Sequence, residues 1–186
     1  MTGPLLVTIL PILFLALLFG GGVLLRRRSI EMDGEPPIDR RPYYLSKYAI
    51  PVVWAAMVAQ SWGVNLSLFE VPAWFKWLAV VLWGTGFVLL LAGRVGLGDS
   101  FRIGSAREST TLRVNGLFRL SRNPMYVGMY LTLIASALYT ANPIVLLVAL
   151  FVIGVHHAIV RAEERHLRKV FGEEYAVYCA RVRRYL

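Results

Sequence analysis

Two short stretches carry side chains able to do chemistry. In SRNPMYVGMY (121–130), a basic residue, an asparagine and a proline stand at the threshold of a long apolar run. Asn123 suits a helix cap and Pro124 the first helical position, where the missing N–H costs nothing. A helix start presents free N–H groups and the positive end of its dipole, so with Arg122 behind it the threshold is a site for an anion. An isolated arginine there also reaches lipid headgroups with no other role. The second stretch, GVHHAIVRAEERHLRKVFGEEY (154–175), sets His156 and His157 within or near the apolar zone and Glu163 and Glu164 after it. Ionisable groups at that depth are costly and point to function. His156 and Glu163 lie seven residues apart and share a helix face, while His157 and Glu164 share the adjacent one. Either imidazole can act as a base, because histidine changes charge near neutrality. A histidine merely hydrogen-bonded inside the bundle is the plain alternative. Glu164 with Arg168 is an i, i+4 pair that a solvated helix face also offers, and His166, among charges, is expected at the surface.

These residues need elements to hold them. With 57% hydrophobic residues in 186, the chain carries more apolar surface than a soluble domain buries, which makes it an integral membrane protein. A spanning helix needs roughly 20 mostly apolar residues; such runs occur at 4–25, 46–64, 74–93 and 125–160. Asn142 and Pro143 interrupt the last one, predicting two antiparallel helices joined by a tight turn. The expectation is an all-α integral membrane fold of five spans, the last two a hairpin, plus a cytoplasmic C-terminal helix. The short turn then brings the start of one hairpin helix, at Asn123 and Tyr126, beside the end of the other, at His157 to Glu163.

Charge sets the orientation. Arg26 to Arg28, Arg40, Arg41 and Lys47, six arginines between 94 and 122, and the basic tail from Arg161 fall on one side, and Lys76 alone on the other. Cytoplasmic loops collect Lys and Arg, so the N-terminus is expected outside and the C-terminus inside, in a bacterial inner membrane. The same asymmetry and attraction to headgroups account for the net charge of +9 without nucleic acid. The first run is expected to remain as an anchor, since its charges follow the apolar stretch and no cleavage site comes after. One cysteine, Cys179, leaves no intramolecular disulfide and no CxxC metal site.

Residues 1–93 read as a three-span anchor with interfacial Trp62, Trp74 and Trp77, and 94–186 as the catalytic region. Gly93, Gly96 and Gly98 follow a membrane helix, not a strand, which argues against a dinucleotide loop; they are expected to end the third span. The segment 110–126 is expected to fold over the cytoplasmic mouth. Gly172 should end a helix, after which Tyr175, Tyr178 and Val182 give an apolar face for a lid, with Arg181, Arg183 and Arg184 toward headgroups.

LGDSFRIG, TLRVNGLFRLSRNPMYVGMYL and EERHLRKVFGEEYAVYCARVRRYL, with a spanning hairpin between the last two, together resemble the isoprenylcysteine carboxyl methyltransferases and their relatives, the phospholipid methyltransferases, over residues 94–186. The resemblance implies an S-adenosylmethionine-dependent methyltransferase with a lipid-like or isoprenoid-like acceptor arriving from the bilayer. It places cofactor contacts on Thr110, Thr111, Leu112 and Arg113, on Phe118 where the family usually has tyrosine, on Asn123, Pro124, Met125 and Tyr126, and on Glu163 with Glu164 beside it. Arg122, His156 and His157 are the candidate catalytic residues. Family members that methylate a prenylcysteine carboxylate have an arginine where this chain has Ile159, so a carboxylate, hydroxyl, thiol or amine acceptor all stay open. Two other readings remain: an NADPH-dependent sterol-reductase-like enzyme, for which Arg102, Arg107, Arg113 and Arg119 could hold the extra phosphate, and a non-catalytic membrane subunit.

Overall fold

The computed structural model describes residues 2–27, 36–97 and 112–186. Among them are five long helices and no strand: α1 (Thr2–Arg27), α2 (Arg40–Ser61), α3 (Ala73–Leu97), α4 (Pro124–Thr140) and α5 (Pro143–Arg181), with one 3-10 turn at Gly116–Arg119 before α4. Thr110 and Thr111, with Gly98, Arg102 and Arg107, lie outside the described residues. Two helices, α3 and α5, are long and apolar enough to cross a membrane. Helix α4 has 17 residues, a rise of roughly 26 Å that falls short of the roughly 30 Å hydrocarbon core.

The break in the last apolar run falls where Asn142 and Pro143 put it. Ala141 closes α4 in the left-handed conformation, φ 44°. Asn142 Oδ1 then accepts from the Ile144 and Val145 N–H groups at 2.9 and 3.4 Å, and its amide donates to the Leu66 carbonyl at 2.8 Å. The hairpin turn and the α2–α3 loop therefore share one end of the bundle. Trp62, Trp74 and Trp77 are exposed at this end, and Trp62 Nε1 donates to Thr8 of α1 at 2.9 Å. Chain direction then gathers the start of α2, the end of α3, the start of α4 and the later part of α5 at the opposite end.

Phe14, Trp54, Trp83 and Phe87 pack ring against ring in the core, with centroids 5.1–6.1 Å apart. Trp54 Nε1 donates to Thr132 Oγ1 at 3.0 Å, and the buried hydroxyls of Thr132, Ser136 and Thr140 each turn back onto a carbonyl of their own helix. In a dry interior every such group needs a partner, and α4 supplies its own.

Helices α3 and α4 make the closest crossing, and glycine permits it. A Cβ built on Gly86 would stand 2.6 Å from the Gly128 carbonyl oxygen, and one on Gly128 the same distance from that of Gly86. Small residues at such a crossing let two backbones touch. Gly93 and Gly96 serve the same end, which corrects their reading as helix terminators. Both lie inside α3, Gly93 against Met125 and Gly96 against the Phe118 ring. The third helix runs on to Leu97, and its glycines make room for Met125 and Phe118.

Candidate active site

The loop 121–123 and the start of α4 form the floor of the site. Asn123 stands at the cap position with Pro124 first in the helix, yet its side chain caps nothing. The amide turns to Glu164 Oε1 at 3.2 Å and to the Arg184 carbonyl at 3.1 Å. Among the described residues the Met125 and Tyr126 N–H groups consequently have no side-chain cap, which leaves the positive end of α4 open there.

One turn on, Tyr126 donates to Glu163 of α5, with its hydroxyl 3.0 and 3.1 Å from the two carboxylate oxygens. Among the described residues Glu163 forms no ion pair. Its neighbour is placed quite differently. Glu164 is buried between two arginines: Oε1 accepts from Arg122 Nε at 3.1 Å, Oε2 from Arg184 Nε at 2.9 Å, and both guanidinium groups close as ion pairs at 3.0 and 2.8 Å. The surface pair with Arg168 is not formed, and Arg168 is exposed.

Arg122 does more than neutralise Glu164. Its Nη1 donates to the carbonyls of Cys179 and Val182 at 3.2 and 2.8 Å, its backbone N–H to that of Arg183 at 3.0 Å, and Ser121 reaches the Arg184 carbonyl at 3.3 Å. The guanidinium expected to hold an anion is thus committed within the protein, to a carboxylate and to the chain end. Arg184, expected at headgroups, is likewise drawn inward onto Glu164.

The tail reaches this position because α5 breaks at Gly172, whose φ of 49° and ψ of −121° interrupt the helix where the sequence predicts its end. Past the break Tyr175, Tyr178 and Val182 are buried in a small cluster with Leu112, Leu167 and Phe171. Tyr178 donates to the carbonyl of buried Phe118 at 2.6 Å. Leu112 therefore faces the tail, the Phe118 ring and Met125 face α3, and Arg113 is exposed. His166 is not at the surface as expected: it is half-buried, and its Nε2 is sealed without a partner.

Glu164 lies beyond the apolar part of α5, which ends at residue 160. Burial alone would push its carboxyl up, but hydrogen bonds from Arg184 and Arg122 and their two charges outweigh that and hold it below the ordinary carboxylate range. A carboxyl depressed by folding contributes stability above its unfolded value, and that stability is lost as pH falls through the folded value. Acidification below the ordinary carboxylate range is therefore expected to loosen the tail. Amide exchange over residues 173–186 should rise with acid in the wild type, and the acid dependence should vanish in Glu164→Gln.

The two histidines separate. His156 Nδ1 lies 3.0 Å from the Val152 carbonyl, and its ring faces Tyr126 with centroids 6.1 Å apart. His157 Nδ1 lies 2.8 Å from the Tyr185 hydroxyl, which is itself 3.5 Å from that of Tyr130. Tyr130, Arg184 and Tyr185 join the site although nothing in the sequence marks them as candidates. No spacing rule reveals them, since a 20-residue closure from Glu164 to Arg184 across a backbone break leaves no periodic trace.

The described residues thus form an all-helical bundle with two membrane-length apolar helices and a carboxylate-bearing polar cluster at one end. Residues 74–174 match the phospholipid methyltransferase family, and the chain belongs to that family of membrane methyltransferases. The match begins with α3 and ends before the closing tail, so Arg184 and Tyr185 lie beyond it. No curated protein matches the chain at a significant level.

Proposed function

We propose that this protein transfers a methyl group from S-adenosylmethionine to a lipophilic acceptor that enters from the bilayer. In this reading all five helices span the membrane, the short α4 under a locally adapted bilayer, with the site on the cytoplasmic side and the N-terminus outside. The observation that carries the proposal is Glu163, a carboxylate held at both oxygens by Tyr126 and left without an ion pair among the described residues. S-adenosylmethionine brings a sulfonium, an amino-acid zwitterion and a flat adenine, and when bound supplies a methyl group already activated by positive charge.

The chain's own groups fit that ligand. Glu163 attracts its cationic centres, and the Tyr126 ring offers an electron-rich face. The uncapped N–H groups of α4 suit its carboxylate, a role that Arg122, neutralised by Glu164, is not free to fill. Leu112, under the tail, and the Phe118 ring, against α3, supply apolar surface beside it. The helix after Gly172 serves as a lid, excluding water so that donor and acceptor meet in near-attack geometry. The protein's work is then mainly alignment.

Binding of S-adenosylmethionine and of NADPH to the detergent-purified protein tests this. Wild type is expected to bind the first and not the second. Glu163→Gln and Tyr126→Phe should each weaken binding by roughly tenfold or more, the scale of a hydrogen bond to a charged group. Binding of NADPH would favour a reductase. A folded protein that binds neither would leave the non-catalytic subunit as the better reading.

A further inference from the structure

His156 and His157 are adjacent in sequence but differ in what the structure lets them do. His157 Nδ1 meets a phenol, which can donate or accept, so either ring nitrogen can carry the proton. His156 Nδ1 meets a backbone carbonyl, which only accepts. The bond exists only if Nδ1 carries the hydrogen, and in the neutral ring Nε2 must then hold the lone pair. That Nε2 has no partner among the described residues. Nor is it sealed away, since the buried unpartnered atoms there are Trp83 Nε1 and His166 Nε2. One ring away, across Tyr126, lies the Glu163 carboxylate.

The charges around this imidazole narrow the acceptor. Among the described residues the cations that pair with either glutamate are Arg122 and Arg184, and both are spent on Glu164. One turn before Glu163 the side chain is Ile159, which is buried. Among the described residues, a carboxylate acceptor would thus meet Glu163 with no free arginine beside it, at a high cost in a low dielectric. A neutral nucleophile that carries a proton meets no such penalty, but that proton has to go somewhere.

We infer that His156 is the general base of the reaction, with its tautomer fixed by the Val152 carbonyl, and that the acceptor is a lipid-borne hydroxyl or thiol. The inference rests on the methyl-transfer reading above and adds to it the base and the acceptor's chemical class. A lone pair on the acceptor atom forms the new bond to the methyl carbon as the carbon–sulfur pair returns to sulfur. The acceptor's proton passes to His156 Nε2, and its former bonding pair stays on the acceptor atom. The imidazolium so formed keeps its Nδ1–H on the Val152 carbonyl and releases the Nε2 proton to water afterwards.

The first test needs no turnover. In protein labelled with ¹⁵N-histidine, with His156→Gln assigning the signal, neutral His156 is expected to show a protonated Nδ1 and an unprotonated Nε2. The opposite tautomer overturns the inference. The second test follows label from methyl-labelled S-adenosylmethionine into vesicles carrying a phosphatidylethanolamine, a prenylated phenol, a prenyl thiol or an N-acetyl prenylcysteine. Transfer to the phenol or thiol is expected, falling roughly 10²- to 10⁴-fold in His156→Gln while S-adenosylmethionine still binds. Transfer to the carboxylate or the amine alone, undiminished transfer in His156→Gln, or no transfer to the phenol or thiol by wild type that binds S-adenosylmethionine each overturns it. Failure of wild type to bind S-adenosylmethionine would instead strike the methyl-transfer reading itself.

Discussion

Arg122→Ala is expected to free the C-terminal tail and to lower the stability of the bundle by about 3–5 kcal/mol, the scale for breaking one side of a buried ion pair. Both carboxylate and guanidinium are close to sealed, with side-chain exposures of 10% and 11%. Removing the guanidinium leaves Glu164 with Arg184 alone, whose side chain is 37% exposed and therefore partly screened. The Cys179 and Val182 carbonyls lose their donor in the same step. Arg122→Lys should recover only part of the loss, because a point charge cannot serve a carboxylate and two carbonyls as a planar fork does. Denaturant titration in detergent gives the stability, and amide exchange over residues 175–185 reports the tail. A tail that stays protected in Arg122→Ala would mean that the apolar packing of Tyr175 and Tyr178 holds it without the ion pair.

The second large effect belongs to the α3–α4 crossing. Gly128→Ala places a methyl 2.6 Å from the Gly86 carbonyl oxygen and 2.9 Å from the Leu90 nitrogen, both of them backbone atoms that cannot rotate away. The helices have to separate, at a cost of about 1–3 kcal/mol or more, the usual range for overpacking. The start of α4 would move with them, so S-adenosylmethionine binding should weaken as well. Gly84→Ala is the control, with nothing within 4 Å of the added methyl; it should be neutral or mildly stabilising, since alanine is the better helix former. Equal stability of the two variants would show that the crossing is looser than its geometry.

Much of this arrangement is legible in the residues alone. Asn142 and Pro143 mark the hairpin turn, and a turn that short compels the start of α4 to lie beside the end of α5. From that comes the meeting of Tyr126 with Glu163. Gly172 is readable too, because a glycine between two apolar-faced segments is where a helix most easily breaks. Other features are hidden for physical reasons. A glycine near the end of an apolar run signals a terminus and a close crossing with the same letter, so Gly93 and Gly96 are ambiguous without Met125 and Phe118 in place against them. Asn123 occupies the cap position but spends its amide on Glu164, a choice made by tertiary contacts and not by local propensity. Glu164 has a local partner available at Arg168 and takes two distant ones, because burying a carboxylate demands more compensation than one surface arginine provides. The arginines of the tail read as headgroup contacts for want of any local sign that one of them turns inward.

The way the tail is bound also constrains how this chain can change. Loop 121–123 grips it through main-chain carbonyls at 179, 182, 183 and 184, which every amino acid possesses. The grip is therefore indifferent to which side chain stands at the exposed position 183 and strict about how many residues precede it. One residue inserted between Tyr178 and Arg181 would rotate the helix face bearing Tyr175 and Tyr178 by about 100° relative to residues 182–186. It would also carry Arg184 and Tyr185 out of register with Glu164 and His157. The segment behaves as a ruler. Substitution is tolerated at its exposed positions, whereas an insertion or deletion is read at the candidate site as a misplaced tyrosine.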